Sequence, residues 1–418
     1  MRIPRTFKRW LGVLGVAAAT AMLVTACGGG DDDGGGNPGG GSSGGGSGVS
    51  DGNTANTAVI TVGPGVANVI NIPTVSVKIC APGTSNCQVV DNVLVDTASY
   101  GLRLVASALS SGVLGALPQT TSGGAPVAEC GKFVSSYTWG SVRTVDLSIG
   151  TEQASSLPVQ IIGDLGTINV PSSCTNGGTS ANSASALGAN GILGIGPAPY
   201  DCGTSCATST SAQSNNYYAC PNGNASCTVA LVPLAQQVAN PVHRFATDNN
   251  GVIVQMPNIS NSGQGSATGL LTFGIGTQSN NALGASTVLA STTTGDVAAN
   301  FLGSNVTAFF DTGSNAYFFN DSNQSICSRN SEFYCPSSPT TYTATLTGRN
   351  GASGGVSMPV VNADSVFANT STFAFNDIAG PFGASGWLDI GMPHFYGKTI
   401  YFGMDKTASG GQQPYVAF

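Results

Sequence analysis

The stretch Ala308-Phe309-Phe310-Asp311-Thr312-Gly313-Ser314-Asn315-Ala316-Tyr317-Phe318-Phe319 sets two apolar runs around one short polar turn, and the turn begins with a carboxylate. An apolar run bounded by turn residues reads as a buried strand. Gly313 permits a tight reversal and the close approach of a second backbone. Asp311 would then stand at the end of a strand, held by a rigid scaffold. On its own the turn could equally be an ordinary loop in which Asp bonds its own backbone.

A second copy lies 215 positions upstream: Val93-Leu94-Val95-Asp96-Thr97-Ala98-Ser99-Tyr100-Gly101-Leu102-Arg103-Leu104. The plan repeats as apolar run, Asp-Thr-small-Ser, apolar run. That interval is too long for a solenoid repeat and suits two related lobes, each contributing one carboxylate. If the lobes face each other, the carboxylates meet. Like charges a few ångströms apart do not both ionise easily, so one keeps a proton. Such a pair can activate water with one member and protonate a substrate carbonyl with the other.

Residues 1–26 read as a targeting segment. Arg2, Arg5, Lys8 and Arg9 make a basic start, residues 11–24 are apolar and small, and Val24-Thr25-Ala26-Cys27 follows. This resembles a bacterial lipoprotein signal, which implies cleavage before Cys27 and lipidation of that residue. The apolar run is short for a transmembrane helix, so the expected membrane contact is a lipid anchor alone. Residues 27–57 are expected to be the lipidated Cys and a flexible tether, whose Gly-, Ser- and Asp-rich part over residues 28–52 has a reach of roughly 25–30 Å. Gly28 after Cys27 lacks the Asp associated with inner-membrane retention, which favours the outer membrane within the cell envelope.

Composition points to an exported all-β body. Gly is 59 of 418 residues, about twice the usual share of roughly 7 per cent, and long amphipathic helical patterns are nearly absent. Residues 229–242 are the best helix candidate, interrupted by Pro233 and Pro241. Four of the 13 basic residues lie in residues 1–26, leaving 9 against 20 acids, a formal charge of −11. That excludes nucleic acid as a partner, because phosphate binding needs Lys and Arg clusters. The body has room for an N-terminal lobe over residues 58–258, its strand signals beginning near Val66, and a C-terminal lobe over residues 259–418. The Gly-rich residues 258–269 connect them.

Beyond Cys27, ten cysteines remain, an even number that export makes candidates for disulfides. Cys80–Cys87, Cys220–Cys227 and Cys327–Cys335 are the local pairs, with Cys202–Cys206 and Cys130–Cys174 completing the set. A metal site of Cys202, Cys206, Cys220 and Cys227 is the alternative, although their spacings suit zinc poorly. No other metal or cofactor is expected. The two histidines, His243 and His394, lack the context of a Ser–His–Asp triad, and no phosphate-binding loop is present.

Residues 74–79 alternate like a half-buried strand, Cys80 and Cys87 clip a turn, and residues 89–95 return as the strand that delivers Asp96. With the paired Asp motifs, this arrangement resembles the pepsin-like aspartic protease family. Asn190-Gly191-Ile192-Leu193-Gly194-Ile195-Gly196 is similar to the segment that family carries after its first Asp. Gly269-Leu270-Leu271-Thr272-Phe273-Gly274-Ile275-Gly276 is similar to its interlobe strand. Trp387-Leu388-Asp389-Ile390-Gly391 and Lys398-Thr399-Ile400-Tyr401-Phe402-Gly403-Met404-Asp405 are similar to its C-terminal strands. The chain is also similar to bacterial lipoproteins catalogued only as a domain of unknown function.

The resemblance implies an all-β, two-lobed double barrel with an interlobe cleft, acting as a monomer on extended peptide or protein substrates. It implies that Asp96 and Asp311 share a proton and bind the attacking water. Thr97 and Thr312 would bond across the two loops, and Ser99 and Ser314 would bond the outer carboxylate oxygens. Gly313 would admit backbone beside the carboxylate. The chain departs from the family pattern at Ala98, where the family has Gly and where a methyl would crowd the site and restrict φ. It departs again in the hairpin over residues 133–141, whose Tyr137 is the candidate flap aromatic. A third departure is Gly391-Met392-Pro393-His394-Phe395-Tyr396, with Gly and Pro in place of a smoother loop. Two functions follow: a lipid-anchored aspartic endopeptidase, or a catalytically silent protein of the same fold that binds or scaffolds. A β-sandwich in which the two Asp loops never meet is the fold-level alternative.

Overall fold

In the computed structural model, residues 55–133 and 136–418 are described. The signal, Cys27 and most of the tether lie outside them, as do Val134 and Ser135 of the candidate flap. The described chain is all-β: of its 25 strands, 17 form one sheet and 7 another. Among the described residues the longest α-helix, Ser111–Ala116, has 6 residues, and no described helix is long and apolar enough to cross a membrane. Residues 229–242 do not form the expected helix. Two 3₁₀ turns, Leu234–Gln236 and Pro241–Arg244, replace it, because proline lacks the N–H a helix interior needs. Asn240 caps the second turn by accepting from the Val242 N–H.

Alternation decides the strands. Pro73–Cys80 buries Val75, Val77 and Ile79 and pairs antiparallel with Cys87–Asp96 across the clipped turn. Folded structure begins earlier than the signals near Val66: Thr57–Val62 is already a strand, paired antiparallel with Ala267–Phe273. Ala267–Phe273 pairs in turn with Gly251–Gln255, and that strand with Thr399–Gly403 near the C-terminus. Thr399–Gly403 pairs with the last strand, Tyr415–Ala417, so among the described residues the first and last strands share one sheet, with Ile60, Val62, Val254, Leu271 and Ile400 buried in one apolar core. Burial of apolar surface, worth about 25 cal/mol per Å², stabilises this core.

Five disulfides close the fold: Cys80–Cys87, Cys130–Cys174, Cys202–Cys206, Cys220–Cys227 and Cys327–Cys335. All five expected pairs form, so the alternative metal site at Cys202, Cys206, Cys220 and Cys227 is ruled out: each sulfur is bonded to another sulfur. The smaller sheet runs, in order, Ser353–Val360, Thr340–Thr347, Val297–Phe301, Ser304–Asp311, Trp387–Gly391, Tyr317–Phe318 and Ala379–Gly380. Asp311 ends a strand at the middle of that sheet.

Candidate active site

Each lobe builds its Asp loop by the same construction. Asp96 ends the strand Cys87–Asp96, beside the parallel strand Gly191–Ile195, with Gly194 opposite the carboxylate. Asp311 ends Ser304–Asp311, beside the parallel strand Trp387–Gly391, with Gly391 opposite. Both glycines are needed for close approach. A Cβ on Gly194 would lie 2.6 Å from the Tyr100 nitrogen and 2.8 Å from Ser99 Oγ, and one on Gly391 would collide with the Ala316 and Ser314 carbonyl oxygens. The loop after each Asp can fold back onto its neighbouring strand only because no side chain stands there.

The two loops lock together reciprocally. Thr97 N–H donates to Thr312 Oγ1 at 3.1 Å, and Thr312 N–H donates to Thr97 Oγ1 at 3.0 Å. Each hydroxyl then donates into the opposite strand: Thr97 Oγ1 to the Phe310 carbonyl at 3.0 Å, and Thr312 Oγ1 to the Val95 carbonyl at 2.6 Å. All four bonds are buried, so each polar group finds in the other lobe the partner it has lost in water. The β-sandwich alternative, in which the loops never meet, is overturned.

The carboxylates converge on one point. A methyl built on Gly313 would lie 3.0 Å from Asp311 Oδ1 and 3.1 Å from Asp96 Oδ1. Asp96 is 1 % and Asp311 0 % exposed. Asp96 Oδ1 accepts from the Ala98 N–H at 2.9 Å and the Ser99 N–H at 3.1 Å. Asp311 Oδ1 accepts from the Gly313 N–H at 2.7 Å, and its Oδ2 from Ser314 Oγ at 2.9 Å. Burial pushes the Asp311 carboxyl well above the usual carboxylate range; the charges of Asp96 and then Asp389 push the same way, against the smaller pull of Ser314 and Gly313.

Several expectations change. Ser314 bonds its carboxylate as expected, but the Ser99 hydroxyl has no hydrogen-bond partner, and the first lobe serves Asp96 through backbone N–H groups alone. Ala98 does not have positive φ, so its methyl imposes no backbone strain. That methyl packs against an apolar cluster of the second lobe that includes Phe309 and Phe375, alongside Ile70.

Tyr137, the candidate flap aromatic, is 7 % exposed. It packs with Cys130, Trp139, Cys174 and Tyr218 in a separate cluster. Its hairpin, Ala125–Lys132 with Ser136–Ile149, is strapped on both sides. Tyr217–Ala219 pairs with the first strand, Thr179–Ser180 pairs parallel with the second, and Cys130–Cys174 ties it to the segment beyond. Within it a buried ion pair, Arg103 Nη2 to Glu129 Oε1 at 2.5 Å, joins the hairpin to the strand leaving the Asp96 loop. Asp201 stands 3.6 Å from the same guanidinium and accepts from the Tyr217 hydroxyl at 2.6 Å.

Two buried polar positions beside the Asp loops were not singled out in the sequence. Asn71, fully buried at φ 53°, crosses between the lobes. Its Nδ2 donates to the carbonyls of Asn315 and Phe375, both at 2.8 Å, while its Oδ1 accepts from the Phe375 N–H and the Tyr396 hydroxyl. Nothing local marks this Asn, whose partners lie more than 240 residues away. Asp389 is a third buried carboxylate, accepting from Ser314 Oγ at 2.7 Å. Its signal was a charge inside the apolar run Trp387-Leu388-Asp389-Ile390.

The family model described as "Protein of unknown function (DUF3443)" matches residues 52–418. No curated protein matches the chain. Among solved structures, an aspartic proteinase from Irpex lacteus is similar at 14 % sequence identity and a TM-score of 0.44, over 86 % of this chain and 96 % of that one. At that distance the likeness bears on neither activity nor substrate.

Proposed function

We propose that this chain, which belongs to the family described as protein of unknown function (DUF3443), is an exported, lipid-anchored aspartic endopeptidase of pepsin-like design. The observation that carries the reading is the reciprocal Thr97–Thr312 lock, which fixes two buried carboxyls against one point. Asp311, the member with the raised affinity for protons, is the acid. Asp96 is the base.

In that assignment a water held between them loses a proton to Asp96 as its oxygen attacks the peptide carbonyl carbon. Asp311 gives its proton to the carbonyl oxygen. The resulting diol collapses when the amine nitrogen takes the proton from Asp96, the C–N bond breaks, and one diol hydroxyl returns its proton to Asp311, which leaves the carboxylic acid and the amine and restores both carboxyls. The substrate is an extended peptide lying across the carboxyls, and Cys27 carries the lipid that holds the enzyme at the envelope, with the outer membrane favoured.

The test is incubation with a denatured protein mixture from pH 3 to 7, with and without pepstatin, beside Asp96→Asn and Asp311→Asn. Cleavage that falls by roughly 10²–10⁴-fold in both variants supports the reading. A second reading, a silent binding module, is favoured by the strapped hairpin, which is paired on both sides and disulfide-tied. No cleavage at any pH by the folded protein would overturn the peptidase reading and turn the question to what the protein binds.

A further inference from the structure

We propose that Asp389 is a positioning residue for the Asp311 carboxyl, acting through Ser314 as the second seat of a proton that stays on the C-terminal side of the dyad. The inference rests on the reading of Asp311 as an acid. The geometry that carries it is a single hydroxyl between two carboxyls. Ser314 Oγ lies 2.9 Å from Asp311 Oδ2 and 2.7 Å from Asp389 Oδ2, and all three side chains are buried.

A serine hydroxyl has one hydrogen to donate. It satisfies one of these oxygens. The other contact is attractive only if that carboxyl itself carries a proton and donates it to Oγ. One proton therefore belongs to the chain Asp311–Ser314–Asp389 in addition to the serine's own. It sits on Asp389 while Ser314 donates to Asp311, or on Asp311 while Ser314 donates to Asp389. The two states interconvert when the serine hydrogen passes to one carboxyl as the other's proton arrives, so no atom or charge is gained or lost.

The first lobe has no such chain. Register places Ile192 opposite Leu94, where the second lobe places Asp389 opposite Phe309, and Ser99 Oγ has no partner. The strands on either side of Asp389 present Phe309 and Phe318. The charged groups acting on Asp311 are the carboxyls of Asp389, from its own lobe, and Asp96, from the other. Two otherwise similar loops are thereby made unequal, which a general acid and a general base require.

The test is carboxyl carbon-13 NMR of aspartate-labelled full-length protein, with Asp311 identified as the signal absent in Asp311→Asn. In Asp389→Asn the amide can donate to Ser314 permanently, so Ser314 donates to Asp311 and favours its ionised form. The Asp311 midpoint then falls by roughly one pH unit, and the alkaline limb of the peptidase pH profile falls with it. Ser314→Ala breaks the same chain from its centre and supplies the measurement if Asp389→Asn does not fold. With Oγ gone only the direct charge of Asp389 still acts, so a further Asp389→Asn change moves the Asp311 midpoint less than it does in the native background. An Asp311 midpoint unmoved by Asp389→Asn, or moved equally in the Ser314→Ala background, overturns the inference even if the enzyme cleaves peptides. A shifted midpoint in a protein that cleaves nothing upholds the proton coupling and defeats the peptidase reading instead.

Discussion

At the scale of single residues, the site depends on side chains that answer one another across 215 positions of sequence. Thr97 Oγ1 accepts from one backbone group of the second lobe and donates to another. Thr97→Val keeps the shape and removes both bonds, leaving a buried N–H and a buried carbonyl unpaired. At about 1–3 kcal/mol for each such group, the substitution should cost about 2–6 kcal/mol in urea unfolding. His394 makes a different statement. It is 2 % exposed beside Phe310 and Tyr317, and burial holds its pKa down to about 3. The unfolded chain, with a pKa near 6.5, binds the proton more readily. The contribution of His394 is therefore full above about pH 6.5 and is lost as pH falls toward 3, at up to about 1.4 kcal/mol per unit. Denaturant titrations of His394→Phe across this range should show a shallower acid loss than those of the native protein.

At the scale of elements, the hairpin after the first Asp loop is held from several directions. Burial raises the affinity of Glu129 for protons, against the pull of Arg103, and Asp201 raises it further. One guanidinium thus faces two carboxyls, and the buried pair is expensive to break singly. Arg103→Leu should destabilise by about 3–5 kcal/mol, whereas the double change to Leu at Arg103 and Glu129 should cost less. A double-mutant cycle reads the difference. Cys130–Cys174 closes a loop of 44 residues, and replacing both by Ala should cost about 4 kcal/mol by chain entropy. These elements also show where sequence reading stops. Alternation in residues 74–79 and the apolar runs before Asp96 and Asp311 specify strands locally, so those were legible. Tyr137 was not, because an aromatic beside a turn has the same local pattern whether it faces a cleft or a private cluster. Its disulfide partner segment and its second neighbouring strand arrive from residues 174–219, at a range no periodicity encodes.

At the scale of the whole molecule, the lobes are joined by a shared sheet and by Asn71. The two-lobed all-β architecture was legible because the Asp-Thr motif occurs twice and each copy is followed by its Gly-bearing parallel strand. The joint at Asn71 was not, since a single Asn carries no pattern. Asn71→Leu removes the partners of four polar groups near the second Asp loop. It should destabilise by several kcal/mol, about 1–3 per stranded group that stays dry, and differential scanning calorimetry should show the loss as a lower Tm.

Water activated by paired carboxyls is the central step of the proposed reaction. The most direct measurement is cleavage of a denatured protein in water enriched in oxygen-18, with the new C-termini read by mass spectrometry. One heavy oxygen in each new terminus, absent when either Asp96 or Asp311 is changed to Asn, is the predicted result. New termini that persist in Asp311→Asn, or none at all from the folded native protein between pH 3 and 7, would contradict it.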